Sequence, residues 1–409
     1  MSIRKRTWTS GGKIKEAWCL NYVDQHGKRR QQTFNTKKLA EQHKAAFTME
    51  ILQGTHLPPS MAVTVAEAAR RWIRRAEREE LEIATIRAYR NLAELHVLPL
   101  LGSTKLSKLT VPVVTDFRNR LLEGRCPAAE RTVDGKVMTV IPAGQRRSRG
   151  MTRSAVGALS MILSNALEEG LVSQNVLAGR RLGGRSESRD EVKLEKGRSF
   201  PGPVEIKAMI DAAPDRWRPV IVTLAFCGLR ASELRGLRWE DVDLDARTLH
   251  VRQRADADGH MGSPKSRAGR REIPLAPIVL NTLREWKLRC PRGELGLVFP
   301  NSRGRVQSHA TLAARCLGPI QVKVGLIEGY RTDRRGRQVP VPKYSLHCLR
   351  HFFASWLIDR QFNVKRIQAM LGHANISMTL DTYGHLFPTD ESDHERLAAG
   401  ELHVMGAAG

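Results

Sequence analysis

Six polar side chains in the second half of this 409-residue chain are of types that could act on a phosphodiester bond. In chain order they are Arg230, Lys265, His347, Arg350, His373 and Tyr383. Guanidinium groups bind two nonbridging phosphate oxygens and neutralise the charge that gathers in the transition state, as a magnesium ion does at other sites. A tyrosine hydroxyl, with an ordinary pKa of about 10, is a weak nucleophile until a base or nearby cations assist it. The set therefore indicates metal-free chemistry on a phosphodiester, with Tyr383 as the nucleophile.

Each member of this set also has an ordinary structural explanation. A surface arginine such as Arg230 usually pairs with a carboxylate, and the cations around Lys265 would usually form a solvated loop. A lone histidine beside an apolar stripe is usually held by a hydrogen bond, and most tyrosines are packing residues. What favours a site is the order of the elements: arginine, lysine, His-x-x-Arg, Leu-Gly-His and then tyrosine.

A metal centre is the competing chemistry for the two histidines His347 and His351. Their i, i+4 spacing resembles that of HExxH zinc sites, but HCLRH lacks the glutamate after the first histidine, and Arg350 between them would repel a dication. The six cysteines are scattered without a CxxC pair, and the ordered set of six residues contains no carboxylate that could hold a magnesium ion. The sequence therefore predicts neither a bound metal nor a cofactor.

The elements that must position Arg230 and Lys265 can be read from the flanking patterns. The apolar run VTLAFC predicts a buried helix that Gly228 breaks, and Ser232 and Glu233 suit the first turn of the next helix, so Arg230 lies at the junction. The segments LHVRQ and REIPL alternate at strand period and ADADGH supplies a turn, which predicts a β-hairpin with Lys265 on its loop. Neighbouring arginines on this connection would lower the pKa of Lys265, which favours a general acid.

The other four residues belong to helices. In YSLHCLRHFFASWLIDRQ the apolar residues form one buried stripe, and His347 and Arg350 lie beside it on a shared face. His373 follows Gly372, which has the residue type that ends helices. Ser377 can cap the short helix that carries Tyr383, ten residues beyond His373.

The charge of the chain indicates a polyanionic partner. Lys and Arg number 67 against 42 Asp and Glu, a formal net charge of +25. A protein this positive repels itself unless it meets a polyanion, and nucleic acid is the usual one. No run of 18 apolar residues and no signal-peptide core occurs, so we expect a cytoplasmic protein without a membrane partner.

Composition and periodicity predict a multidomain chain that is mainly α-helical with small β-sheets. We expect a basic βββα module at 1–56, a helical domain at 61–180, a linker at 181–198, a mixed α+β catalytic domain at 199–390 and a tail at 391–409. Residues 126–150 predict an inserted β-hairpin or a loop, with VDGK as the turn. The long basic segment 322–344 is either a hairpin that contacts DNA or a neighbouring protomer, or a disordered loop.

The motifs CGLRASEL, SPKSRAGRREIPL, LHCLRH and LGHANISMTLDTYGHL together resemble those of the tyrosine recombinase (phage integrase) family, over residues 61–390. The resemblance implies that Arg230 and Arg350 clamp the scissile phosphate and that Lys265 protonates the leaving 5′ oxygen. His347 would assist proton transfer at the nucleophile, and His373 would hydrogen-bond a nonbridging oxygen. Tyr383 would attack to form a 3′-phosphotyrosyl bond, and Glu233 would support the site without a catalytic part.

The same resemblance implies an architecture and a set of partners. Residues 61–180 would be the SAM-like core-binding domain, and the module at 1–56 would loosely match the arm-binding domain of lambda-type integrases, which points to a mobile element's integrase. The partners would be attachment sites in double-stranded DNA, a homotetramer on that DNA, and DNA-bending or directionality accessory proteins.

Three functions other than that of an integrase are the alternatives. The same chemistry without strand exchange would be a type IB topoisomerase. A catalytically silent DNA-binding accessory protein would be expected to lack at least one of the six residues, and this chain lacks none. A basic chromatin-packing protein would not account for the ordered motifs.

Overall fold

The computed structural model describes residues 1–11, 13–24, 27–52, 63–133, 136–180, 193–333 and 335–387, together with residues 397, 400, 401 and 405. Most of the predicted linker and tail, and the centre of the predicted VDGK turn, lie outside these residues. The chain divides into two compact units, Met1–Glu187 and Ser188–Gly409. The finer division into five segments stays a prediction. None of the described helices is long and apolar enough to cross a membrane.

The first unit begins with the predicted βββα module. Strands β1 (Ser2–Ser10), β2 (Lys13–Val23) and β3 (Arg29–Phe34) form an antiparallel sheet in that order, followed by helix α1 (Lys37–Leu52). Leu20 and Tyr22 alternate inward at strand period and pack against Phe34 and Phe47. This small apolar cluster is what joins the helix to the sheet.

The rest of the first unit is helical. Its helices are α2 (Val65–Arg78), α3 (Ile83–Leu92), α4 (Leu98–Leu101), α5 (Val111–Glu123) and α6 (Arg149–Glu168). A reciprocal pair of hydrogen bonds between Thr64 and Glu67 starts α2, and Trp72 on the same helix is buried in the core. Of the two alternatives for the insertion, the structure shows the hairpin, formed by β4 (Ala129–Val133) and β5 (Lys136–Ile141).

The second unit begins with α7 (Pro203–Ala212), α8 (Arg218–Cys227) and α9 (Ala231–Gly236). The strands that follow are β6 (Val242–Asp243), β7 (Thr248–Val251), β8 (Arg254–Ala255), β9 (Met261–Gly262) and β10 (Arg271–Pro274). Strand β7 pairs with β6 and with β10, which confirms the predicted partnership of the LHVRQ and REIPL segments. Strands β8 and β9 pair with each other in a small hairpin, which lies between β7 and β10 in the sequence.

The unit continues with α10 (Pro277–Arg289), α11 (His309–Thr311), α12 (Gly318–Lys323) and the strands β11 (Ile327–Thr332) and β12 (Gln338–Pro342). The two strands pair, so the described part of the basic 322–344 segment forms a hairpin rather than a disordered loop. Helices α13 (Leu346–Asp359), α14 (Val364–Leu371) and α15 (Ser377–Tyr383) complete the unit.

The ends of α8 and α14 and the start of α13 meet at one place. Gly228 and Gly372 follow α8 and α14 with φ of 57° and 66°, a left-handed conformation that glycine adopts without strain. A β-carbon at Gly228 would overlap the ring of Phe353, so the close approach of α8 to α13 also requires glycine. The predicted cap of α15 is wrong, because Ser377 is already helical and Asn375 Oδ1 accepts from the backbone N–H of Met378 at 3.1 Å.

Candidate active site

Arg350 lies at the centre of the site and is 1% exposed. Its guanidinium donates to the carbonyl of Gly228 at 2.7 Å and to the carbonyl of Leu371, at the C-terminal ends of α8 and α14. Helix C-termini carry partial negative charge, which favours a cation there. Burial, with the charges of Arg230 and Arg271, lowers the pKa of Arg350, but a guanidinium keeps its charge at neutral pH. The hydrogen bonds from two helix ends therefore fix the guanidinium of Arg350 at the centre of the site.

Arg230 forms the second cationic group, at the start of α9. Its Nη1 donates to Glu233 Oε1 at 2.8 Å and its Nη2 donates to the carbonyl of Gly372 at 3.2 Å. The backbone N–H of Arg230 donates to Glu233 Oε2 at 2.9 Å, so the carboxylate also caps the helix. About a third of the side chain stays accessible, which leaves this guanidinium able to meet a ligand.

Arg271 holds Glu233 from the other side. It donates to the two carboxylate oxygens at 3.1 and 2.8 Å and to the carbonyl of Met370 at 2.6 Å. Burial raises the pKa of Glu233, but the hydrogen bond and charge of Arg271, with Arg230, outweigh it and hold that pKa at about 2. Sequence patterns do not reveal this contact, because they mark Arg271 only as one of several cations near Lys265. It is the bond that ties β10 to α9.

Replacing Glu233 with glutamine is expected to destabilise the second unit. The lowered pKa means that the carboxylate contributes stability above its unfolded pKa of about 4.5, and that this contribution is lost as pH falls towards 2. We expect a loss of roughly 3 kcal/mol at pH 7 and a much smaller difference at pH 3. Chemical denaturation at the two pH values measures both. The control is Glu240→Gln, at an exposed ion pair with Arg238, which should change the free energy of unfolding by less than about 0.5 kcal/mol. Equal stability of the Glu233 variant and wild type at pH 7 would contradict the account.

Tyr383 is the last residue of α15 and is 2% exposed. Its hydroxyl oxygen lies 2.7 Å from Nδ1 of His351. Burial raises the pKa of Tyr383 to about 12, and the charges of Arg350 and Arg230 act in the opposite direction. The hydroxyl is therefore protonated at neutral pH and lies within the electrostatic influence of both arginines.

The charges of the same two arginines act on the two predicted histidines. His373 is 9% exposed, and its Nδ1 lies 2.9 Å from the hydroxyl of Thr379. Burial, Arg350 and Arg230 lower the pKa of His373 to about 4. His347 is exposed at the start of α13, and loss of surrounding water, Arg350 and Arg230 lower its pKa as well. Both imidazoles are therefore expected to be neutral at pH 7 in the absence of a ligand.

Five of the six residues predicted from the sequence are thus brought together in one cluster. Lys265 is placed differently: it is exposed on the connection between β9 and β10 and makes no hydrogen bond or ion pair within the described part of the chain. The same connection reaches the site further on, where the carbonyl of Ala268 lies against Gly372. The part of Lys265 in the site stays a prediction.

The contact between His351 and Tyr383 is one that sequence patterns do not reveal. The spacing of His351 from His347 resembles that of a pair of metal ligands, whereas in the structure its Nδ1 lies 2.7 Å from the Tyr383 hydroxyl. The rings of His347 and His351 meet edge to face, with centroids 4.8 Å apart. The position of His351 immediately after Arg350, on the helix that faces the tyrosine, was the available signal.

The arrangement can bind an anion and present a tyrosine to it. Arg350 is buried, Arg230 is partly accessible, and Glu233 neutralises only part of their charge. Guanidinium groups in a partly desolvated site stabilise a developing phosphorane more strongly than they would in water.

Comparisons with known proteins identify the family of the chain. The phage integrase family matches residues 203–389, and the N-terminal SAM-like domain of phage integrases matches residues 64–122. The tyrosine recombinase XerC-like protein of Caldanaerobacter subterraneus subsp. tengcongensis is 24% identical over 394 residues, covering 90% of this chain and 92% of the relative. The prophage integrase IntR of Escherichia coli K12 is 24% identical over 332 residues, 78% of this chain and 76% of the relative.

Two solved structures share the fold. The integrase of transposon Tn1549, in complex with a circular intermediate DNA, matches with a TM-score of 0.62 and 18% identity over 83% of this chain and all of that chain. A lambda integrase tetramer bound to a Holliday junction matches with a TM-score of 0.53 and 17% identity over 91% of this chain and 96% of that chain. On the family matches and the shared fold, the chain belongs to the tyrosine recombinase, or phage integrase, family of enzymes that cleave and rejoin DNA.

Proposed function

We propose that this recombinase integrates and excises a phage or other mobile element at specific attachment sites, through a 3′-phosphotyrosyl intermediate on Tyr383. The observation that carries the proposal is the buried Tyr383 hydroxyl, 2.7 Å from an imidazole nitrogen and within the electrostatic influence of two arginines. The relatives with names that describe mobile elements, a prophage integrase and a transposon integrase, support the same biological class.

Each predicted residue has a part in this proposal. Arg230 and Arg350 bind the nonbridging oxygens of the scissile phosphate, and His373 donates a hydrogen bond to one of them. Lys265 protonates the leaving 5′ oxygen. This role requires that the connection between β9 and β10 bring Lys265 to the bound phosphate. His347 assists proton transfer on the side of the nucleophile, and Glu233 fixes Arg230 without touching the substrate.

The covalent bond keeps the energy of the original phosphodiester. A 5′ hydroxyl from a partner strand can therefore attack the phosphotyrosine and reseal the backbone without ATP. We propose that four copies of the chain act together on two duplexes in the bacterial cytoplasm, as the lambda tetramer on a Holliday junction suggests. The basic module at 1–56 would bind a second class of site, and DNA-bending or directionality proteins would complete the assembly.

The reaction is tested with the DNA that flanks the coding sequence. The protein is incubated with those fragments, and with supercoiled plasmids that carry or lack them, in buffer containing EDTA. We expect SDS-stable adducts on the flanking fragments and recombinant products only from plasmids that carry the sites, because the arginines supply the positive charge. Relaxation of every plasmid without recombinants would indicate a type IB topoisomerase, and loss of activity in EDTA with recovery in Mg²⁺ would contradict the metal-free mechanism.

A further inference from the structure

Within the described part of the chain, the hydroxyl of Tyr383 has one hydrogen-bonding partner, the imidazole of His351. Nδ1 of His351 lies 2.7 Å from the phenol oxygen, an ordinary hydrogen-bond distance for a hydroxyl, and the tyrosine is 2% exposed. A buried hydroxyl of this kind cannot give its proton to bulk water. If it is to attack phosphorus, the proton must pass to a group already in contact with it.

The surroundings of His351 keep its imidazole neutral, so that it can accept that proton. The groups that face it are His347 and Arg350 from α13 and Tyr383 from α15. Burial, His347 and Arg350 lower the pKa of His351 to about 4, so the ring is neutral at pH 7. When a phosphate is bound, the negative charge that gathers on its oxygens favours an imidazolium beside it. The proton affinity of His351 therefore rises as the attack proceeds.

His347 is less well placed for the same step. It is exposed, and the contact that joins it to this group is an edge-to-face contact between its ring and the ring of His351. No hydrogen bond joins it to Tyr383 in the described part of the chain. It can influence the charge of His351 or meet the phosphate, but the nitrogen in contact with the phenol oxygen belongs to His351.

We propose that His351 orients the Tyr383 hydroxyl in the resting enzyme and takes its proton through Nδ1 as the phenol oxygen attacks the scissile phosphate. This inference rests on the proposed function of Tyr383 as the nucleophile. It gives a role to His351, the last residue of the LHCLRH motif, to which the resemblance assigns none, and it places the proton acceptor of the cleavage step one helical turn from His347.

The step balances without any further reactant. The Tyr383 Oη–P bond forms and the P–O5′ bond breaks, while the hydroxyl proton passes to Nδ1 of His351, with the ring's other proton on Nε2. The leaving 5′ oxygen takes a proton from the general acid, proposed to be Lys265. One proton enters and one leaves the protein, and rejoining reverses both transfers.

The test is the pH dependence of single-turnover cleavage in two matched variants, His351→Asn and His347→Asn. Asparagine places an amide oxygen near the position of Nδ1, so it keeps a hydrogen bond to the hydroxyl but cannot take the proton. The substrate carries sulfur at the bridging 5′ position, since a thiolate leaves without protonation and the contribution of Lys265 is removed. Thermal unfolding and DNA binding are measured for each variant, and His351→Gln serves as a second variant if the first does not fold.

We expect His351→Asn to cleave about 10²–10⁴-fold more slowly than wild type at pH 7. Its rate should rise nearly tenfold per pH unit from pH 7 to 9.5, because hydroxide must replace the lost acceptor. Wild type should be nearly flat over that range, and so should His347→Asn, which retains His351. A merely misplaced tyrosine would lower the rate equally at every pH, so the slope separates proton acceptance from positioning alone.

The outcomes distinguish this inference from the proposed function. If wild type forms no adduct through Tyr383, the proposed function fails. If wild type forms that adduct and His351→Asn cleaves with a flat profile, His351 does not accept the proton. The same conclusion follows if the slope arises in His347→Asn instead.

Discussion

Replacing Tyr383 with phenylalanine is expected to abolish covalent attachment to DNA while DNA binding stays intact. Phenylalanine keeps the buried ring in place and removes only the oxygen that would attack phosphorus. The loss of one hydrogen bond to His351 costs about 1–3 kcal/mol, which the fold should tolerate. Adduct formation on a nicked suicide substrate, read on an SDS gel, should fall by at least about 10⁴-fold.

Tyr330 provides the matched control for this change. It lies on β11 and is 65% exposed, so Tyr330→Phe should form the adduct as wild type does. An SDS-stable adduct that survives Tyr383→Phe at the wild-type level would show that another residue is the nucleophile, and the account of the site would fail with it.

Replacing Arg350 with alanine is expected to reduce both the cleavage rate and the stability. The side chain binds the carbonyls at the ends of two helices, so its removal leaves Gly228 and Leu371 without their donor. Two buried unsatisfied carbonyls would cost about 2–5 kcal/mol. The loss of transition-state charge stabilisation should slow cleavage by roughly 10³-fold or more, measured as a single-turnover rate at saturating DNA.

Lysine at the same position separates the two effects. Arg350→Lys keeps a cation between the helix ends and should regain part of the stability, but it cannot bind two phosphate oxygens bidentately and should remain at least about 10²-fold slower than wild type. Arg360→Ala, at an exposed residue just beyond α13, should match wild type in both measurements. A folded Arg350→Ala protein with the wild-type cleavage rate would exclude the proposed phosphate clamp.

The sequence predicted the elements of the second unit because its signals there are local. The stripe of Leu346, Leu349 and Phe353 predicted α13, and it is buried as expected. Gly228 and Gly372 predicted the ends of two helices, and their positive φ values confirm it. The βββα module followed in the same way from period-two alternation in β2. Helical and strand periods need only neighbouring residues, so one sequence is enough to reveal them.

The contacts within the site were less accessible to sequence reasoning, because they join residues far apart in the chain. Glu233 was expected to support the site, and that role stays a prediction. Its hydrogen bond to Arg230 joins residues three apart, whereas its second partner, Arg271, comes from another element. His351 reaches Tyr383 across 32 residues, and its spacing from His347 suggested a metal instead. The insertions at 126–150 and 322–344 could each have been a loop, since a turn signal does not by itself show that flanking segments pair.

The most direct test of the central claim is to identify the residue that becomes attached to DNA. Wild-type protein would be trapped on a suicide substrate, digested with trypsin and nuclease, and sequenced by mass spectrometry. The account predicts a single modified peptide in which Tyr383 carries the phosphate of a 3′ DNA end. A modification on any other residue, or attachment through a 5′ phosphate, would contradict it.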